Sequence, residues 1–187
     1  MKQKIIKELM KIKREGIQNL IKWLENNPQT SFYKSPCSKD HHLNYEGGLA
    51  IHSWNVYELF KEKNQRYKLG LSEESVIICG LLHDICKVNF YKQVKTYKDG
   101  CSEPEYGYEY DDKFPIGHGE KSVIIIEKFI TLTDEEACII RWHMAGFDIS
   151  PYGKPAYYKA IEMYPACLAL HTADYEATTF LEQKTGA

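Results

Sequence analysis

Long apolar runs are missing from this 187-residue chain. No stretch approaches the roughly 18 uncharged residues that a membrane-spanning helix needs, so no membrane partner is expected. An excess of charge of one sign is missing too: 24 Lys and Arg stand against 26 Asp and Glu, a net charge of -2. That balance argues against a dedicated nucleic-acid binder, although it leaves room for a local basic patch. Internal repeats, low-complexity tracts and Pro/Gly/Ser linkers are also absent, so one domain spanning residues 1–187 is expected, with residues 1–27 as an N-terminal amphipathic segment and 42–182 as its core. Lys and Glu interrupt every apolar candidate before Trp23, so the start does not read as a secretory signal and the expected location is cytoplasmic. None of the 6 cysteines (Cys37, Cys79, Cys86, Cys101, Cys138, Cys167) falls in a C-x-x-C pair. Buried free thiols in a reducing compartment are the expectation, and zinc held by Cys37 with His41 or His42 is the alternative.

What the chain does have is 43% hydrophobic and 13% aromatic residues, enough for a sizeable core. Residues 4–26 read as one amphipathic helix, with Ile5, Leu9, Ile12, Ile17, Leu20, Ile21 and Leu24 at helical spacing. Lys2, Lys4, Lys7, Lys11, Lys13 and Arg14 against Glu8 read as its solvated outer face. Residues 28–46 read as loop. A second helix follows Gly47-Gly48 and stops near Gly70; Ser72 caps a third, which carries the apolar run Val76–Leu82. Between Asn89 and Asp112 tyrosines alternate with polar residues around Asp99-Gly100, the pattern of a β-hairpin or ordered excursion. Pro115 and Gly117 precede another helix, and Thr133 with Glu136 forms a capping box for the next. The last helical region, from about Tyr157 to Leu181, is kinked or restarted at Pro165. The fold class is therefore all-α, a helical bundle with a small β-hairpin or ordered loop insertion around 89–112.

Five His or Asp positions interrupt strongly apolar stretches: His52, the His83-Asp84 pair, His118, His143 and Asp174, at intervals of 31, 34, 25 and 31 residues. Each interval is about a helix plus its connection, so each helix would supply one inward-pointing ligand position, as bundles do when they build a metal site. Asp84 sits in what reads as a buried helix, where an unpaired carboxylate is too costly to keep. Shared cations answer that cost.

At these residues the chain resembles the HD superfamily of metal-dependent phosphohydrolases. The segments that carry the resemblance are HLNYEGGLAIHSWNVYELF (42–60), GLLHDICKVNFY (80–91), FPIGHGEKS (114–122), IIRWHMAGF (139–147) and LALHTADYEAT (168–178). The GGL-x-x-H and GHGEKS contexts are similar to HD domains joined to a bacterial 3′→5′ exoribonuclease and to small stand-alone HD proteins of bacteria and phages. The resemblance implies that His52, His83, Asp84 and Asp174 hold one metal, with Asp84 bridging to a second held by His118 and His143. It implies that Lys87, the lysine of HD-x-x-K, contacts substrate phosphate. Cys86 stands where the family commonly has glycine, read as a packing variation.

Around this set, His42 either protonates a leaving group or hydrogen-bonds a ligand, and His171 is read as a supporting or core residue rather than a ligand. Lys121 and Arg141 either hold phosphate oxygens or lie exposed. The tyrosines 91, 97, 106, 108 and 110 either form a lid that stacks on a base or pack against their own domain. The implied activity is hydrolysis of a nucleotide phosphomonoester or phosphodiester by a metal-activated water at a dinuclear site, with Asp84, Lys87 and His42 as catalytic residues and Lys87, Lys121 and Arg141 toward substrate. Manganese or iron is favoured, with zinc, nickel or magnesium as alternatives. The expected partner is a small nucleotide or short nucleic acid; the pattern specifies no oligomeric state. Rival readings are a di-iron oxygenase of the same superfamily and a non-catalytic module stabilised by its metal.

Overall fold

A computed structural model describes residues 1–26, 32–96, 105–145 and 153–182. Among these, eight α-helices and one two-stranded antiparallel sheet form the fold: α1 (Lys2–Leu9), α2 (Ile17–Asn26), α3 (Gly48–Tyr67), α4 (Glu73–Leu82), β1 (Tyr91–Thr96), β2 (Glu105–Tyr110), α5 (His118–Glu127), α6 (Asp134–Arg141), α7 (Lys154–Met163) and α8 (Ala166–Glu176). A 3-10 turn (Ile85–Lys87) follows α4 and a π turn (Ala177–Leu181) follows α8. The architecture is the all-α bundle with a small hairpin that the sequence implies.

α4 lies at the centre because it is apolar all round: every residue from Val76 to Leu82 is buried, so no face can turn to water. It packs on α3 and α6, while α8 packs on α3 and α6 from the other side. α3 contributes Val56, Tyr57 and Phe60 to the core they share. The capping signals work as read: Ser75 N–H donates to the Ser72 hydroxyl, and Thr133 and Glu136 complete a reciprocal box that opens α6. Pro165 separates α7 from α8.

Three expectations about helix extent are corrected. The single helix over 4–26 is two helices, the first ending at Leu9 and the second starting at Ile17 just after Gly16, which adopts φ +87 and sits against the Phe129 carbonyl so closely that a Cβ would collide with it. α4 ends at Leu82, so His83 and Asp84 lie just beyond it rather than within it. α6 ends at Arg141, which puts His143 beyond a helix end as well. Both terminations have the same cause. The His83 Nδ1–H donates to the Gly80 carbonyl (2.9 Å) and the His143 Nδ1–H donates to the Ile140 carbonyl (2.6 Å). Each imidazole takes the carbonyl that the next backbone N–H of a continuing helix would use.

The basic N-terminal segment is an outer face: Lys2, Lys4, Lys7, Lys11 and Lys13 are exposed, and Arg14 turns in to make paired hydrogen bonds to Glu136 at 2.6 Å each. β1 and β2 pair with Tyr91 opposite Tyr110 and Gln93 opposite Tyr108. Phe90 packs on Tyr91 and Tyr110 at the hairpin base, and the Asp111 N–H closes it on the Phe90 carbonyl. The expected turn at Asp99-Gly100, Tyr97 and Cys101 lie outside the described residues.

Candidate metal centre

The residues singled out in the sequence meet in one place. His52 comes from the second turn of α3, His83 and Asp84 from the turn after α4, His118 from the first residue of α5, His143 from the turn after α6, and Asp174 from α8. Gly119 makes part of this convergence possible: a Cβ there would overlap the Arg141 carbonyl, so only glycine lets the start of α5 reach the end of α6, bringing His118 and His143 within one ring contact (5.4 Å between centroids).

Asp84 organises the cluster. Its Oδ1 faces His118 Nε2 (2.6 Å) and His143 Nε2 (3.4 Å). Its Oδ2 faces Lys87 Nζ (2.6 Å), His52 Nε2 (3.5 Å) and His83 Nε2 (3.7 Å). Asp174 closes the Oδ2 side, with its Oδ1 3.2 Å from His52 Nε2. One carboxylate thus divides the imidazoles into two groups, one per oxygen.

The imidazoles are oriented from behind. His83 and His143 spend their Nδ1–H on backbone carbonyls as above. His52 donates its Nδ1–H to the Glu182 carboxylate at 3.0 and 3.2 Å. Each therefore presents Nε2 to Asp84, the tautomer that a metal ligand requires. His171 supports rather than ligates: its Nδ1–H donates to the His143 carbonyl at 2.7 Å, which ties α8 to the turn holding His143.

The charges of the protein groups alone show how strongly these side chains want a cation. Burial pushes the Asp84 carboxyl up, but Lys87, His83 and His118 hold it well below the usual carboxylate range. Burial pulls His83 down to about 4, so it is a neutral ligand at physiological pH. His52 and His143 go the other way: burial lowers them, yet Cys37, Asp174 and Glu182 raise His52, and Asp84 raises His143. Burial also lowers the Lys87 ammonium, and Asp84 more than reverses it.

Does this set fit a divalent metal? The His143 Nε2 is buried and has no hydrogen-bond partner, and with its proton on Nδ1 it turns a lone pair toward a carboxylate oxygen. The His52 and His83 Nε2 atoms are 3.3 Å apart. Nitrogens that face a carboxylate and one another need a cation between them, either the extra protons that Asp84 and Asp174 favour on His143 and His52 or a metal in their place, and imidazole with carboxylate is a donor set for manganese, iron or zinc. His52, His83 and Asp174 lie within reach of one ion, as do His83, Asp84 and His143. The set fits.

A cavity of about 170 Å³ opens over these residues, lined by His42, Lys87, His143, Asp174, Tyr175 and Thr178 among others. No described hairpin tyrosine lines it. Lys121 and Arg141 do not line it either. Both Asp112 oxygens accept from Lys121 Nζ at 2.7 Å, and this ammonium also sits over the Phe90 ring. The Arg141 guanidinium pairs with Glu120 and stacks on Trp142 in a separate cleft between α5 and α6. His42 stands at the cavity rim, partly exposed, with Nε2 3.3 Å from Cys37 Sγ and 3.8 Å from a Glu182 oxygen.

Glu182 escapes the sequence reading, and Cys37 enters it as a buried thiol or, with His41 or His42, as a zinc ligand. Glu182 is fully buried through its side chain although it ends a polar-looking segment; the π turn after α8 swings it back onto His52, and Asn55 donates a further bond to it at 3.0 Å. The Cys37 thiol faces the site beside His42, one of the two histidines named with it. Burial pushes this thiol up, while His52, Lys87 and His42 bring it down to about 7. Cys86, by contrast, is pushed up to about 12 by burial and by Asp84, and its sulfur lies 3.4 Å from His118 Nδ1.

A bundle whose helices and helix ends bring histidines and a second aspartate around one carboxylate defines a metal-binding helical domain. The HD domain family matches residues 49–179, and the chain belongs to that family, whose members bind divalent metals and are mostly metal-dependent hydrolases of phosphate esters. No curated protein and no solved structure matches the chain significantly. No described helix is long and apolar enough to cross a membrane.

Proposed function

We propose that this protein is a phosphohydrolase that holds two divalent ions, manganese or iron by preference, and cleaves a nucleotide phosphomonoester or phosphodiester. The observation that carries the reading is the partition of the ligands by Asp84: His52, His83 and Asp174 gather at one oxygen, His118 and His143 at the other. Ions in these two groups supply Lewis-acid polarisation of the phosphoryl group and an acidified water.

The chain's own residues do the rest. Lys87, whose ammonium compensates Asp84 at 2.6 Å, would be free to meet the phosphate oxygens with metal held by that carboxylate, and there it would oppose the charge that grows on them. His42, at the partly exposed rim, would give a proton to the leaving oxygen, a role its place in the cavity lining supports. Asp84 and Asp174 stay ionised, since nearby cationic groups hold both well below the usual range against the upward push of burial. With Lys121 and Arg141 paired elsewhere, the basic groups at the cavity are few among the described residues, which suits a small nucleotide or the end of a short nucleic acid better than a long polymer. The described cysteines are all free, in keeping with a reducing, cytoplasmic setting.

The test is phosphate release from a nucleotide panel by manganese-loaded protein, scored separately for monoesters, triphosphates and diesters. Release from at least one class is expected. No release from any class, or oxygen uptake by the iron-loaded protein instead, contradicts the reading.

A further inference from the structure

Beside the imidazole–carboxylate cluster lies a second donor set with different chemistry. Cys37 Sγ, His42 and His52 each offer a ligand atom, and these atoms lie within 4.8 Å of one another. The thiol is fully buried and sits 3.3 Å from His42 Nε2. The short loop that carries both is closed on itself. The Cys37 N–H donates to the Leu43 carbonyl (3.1 Å), and the Ser38 hydroxyl accepts from the His41 N–H (3.0 Å) while donating to the His42 carbonyl (2.7 Å). Sulfur and imidazole are thus held facing one another. Cys37 and His42 both precede the segment that matches the family, while His52 lies inside it and is shared with the imidazole–carboxylate set.

We propose that Cys37, His42 and His52 form a thiolate-containing site for a soft divalent ion of the zinc class, which competes with the imidazole–carboxylate site for His52. The competition follows from the count of lone pairs. Glu182 holds the His52 Nδ1–H, which leaves Nε2 as the ring's only free donor. That same nitrogen faces Asp174 at 3.2 Å and His83 at 3.3 Å, so it serves one ion or the other. A sulfur with two imidazoles selects zinc or cobalt over manganese or magnesium, whose preference is for oxygen. Binding there releases the thiol proton to solvent, and it displaces the Lys87 ammonium that now lies 3.7 Å from the sulfur. The protein thereby distinguishes metals: hard ions complete the imidazole–carboxylate centre, and a soft ion withdraws one of its ligands. This holds whatever reaction the centre performs.

The experiment is a cobalt(II) titration of the metal-stripped full chain, followed by absorption. A near-ultraviolet sulfur-to-cobalt charge-transfer band is expected, present in the parent and in Cys86→Ser, and lost in Cys37→Ser. Zinc affinity, read by competition with a chromophoric chelator, should fall at least about tenfold in Cys37→Ser, since losing a ligand costs no less than losing the partner of one. No band in the parent protein, or a band that survives Cys37→Ser, overturns the proposal. Should Cys37→Ser fail to fold by circular dichroism, His42→Gln at the partly exposed rim carries the same test: the band must weaken and shift, and an unchanged spectrum overturns the proposal.

Discussion

Replacing Glu182 tests whether the centre is tuned from behind. Its carboxylate accepts from His52 Nδ1 at 3.0 and 3.2 Å and from Asn55 at 3.0 Å, entirely out of solvent. Two effects are removed at once in Glu182→Ala: the charge that makes His52 a stronger donor, and the acceptor that keeps its proton on Nδ1. Without that acceptor the ring is free to carry its proton on Nε2, the nitrogen aimed at Asp174 and Asp84, and in that tautomer it cannot ligate. Glu182→Gln keeps a carbonyl oxygen that can accept from both His52 and Asn55, as Oε1 does now, but loses the charge. Changes behind metal-bound histidines weaken metal binding by about 10- to 100-fold, or about 1.4–2.7 kcal/mol. We expect Gln at the lower end and Ala at the upper. Calorimetric titration of manganese into chelator-stripped protein reads the difference directly, with circular dichroism to verify folding. If Glu182→Ala binds manganese within about twofold of the parent, the reasoning about His52 is refuted.

Lys87→Ala should keep its metal and lose turnover by about 100-fold, as when one charge-stabilising donor is removed; unchanged kinetics would take Lys87 out of the mechanism. Because His52 and His143 are both raised, each metal that binds must displace protons near neutrality. Manganese affinity should therefore climb as pH rises above the ordinary imidazole range, and a flat profile contradicts the raised imidazoles. Arg14→Met strands the buried Glu136 carboxylate; because Arg14 is partly exposed we expect a loss of about 2–3 kcal/mol, a fall in melting temperature of about 4–12 °C. The sign with pH is fixed: burial pushes Glu136 up but Arg14 holds it below its usual value, so the pair's contribution is present above that value and fades as pH falls through the folded one. The gap between parent and variant melting temperatures should therefore narrow in acid, and a gap that widens would show that Arg14 stabilises by packing alone.

The ligands were legible because each breaks an apolar context. Asp84 between Leu82 and Ile85, or Asp174 behind Leu170 and Ala173, is too costly a residue to place in a core without a cation. What the pattern did not reveal is where helices stop. Nothing in Leu81-Leu82-His83-Asp84 forbids another turn; the termination comes from a side chain bonding to Gly80, a choice made by the tertiary site rather than by propensity. Gly16, just before the second helix, likewise meets Phe129, more than a hundred residues away in sequence. Glu182 was invisible for a related reason, since a glutamate in a polar C-terminal stretch reads as solvated until a π turn folds it inward. Lys121 shows the converse: it neighbours a ligand in sequence, yet the helix turns its side chain toward Asp112 and Phe90, away from the cavity.

The most direct test is the metal content of the purified chain, by elemental mass spectrometry, beside that of Asp84→Ala. Because Asp84 alone links both ligand groups, the parent should retain about two divalent ions per chain and the variant close to none. Equal metal content in the two proteins, or none in the parent after incubation with manganese or iron, would contradict the account.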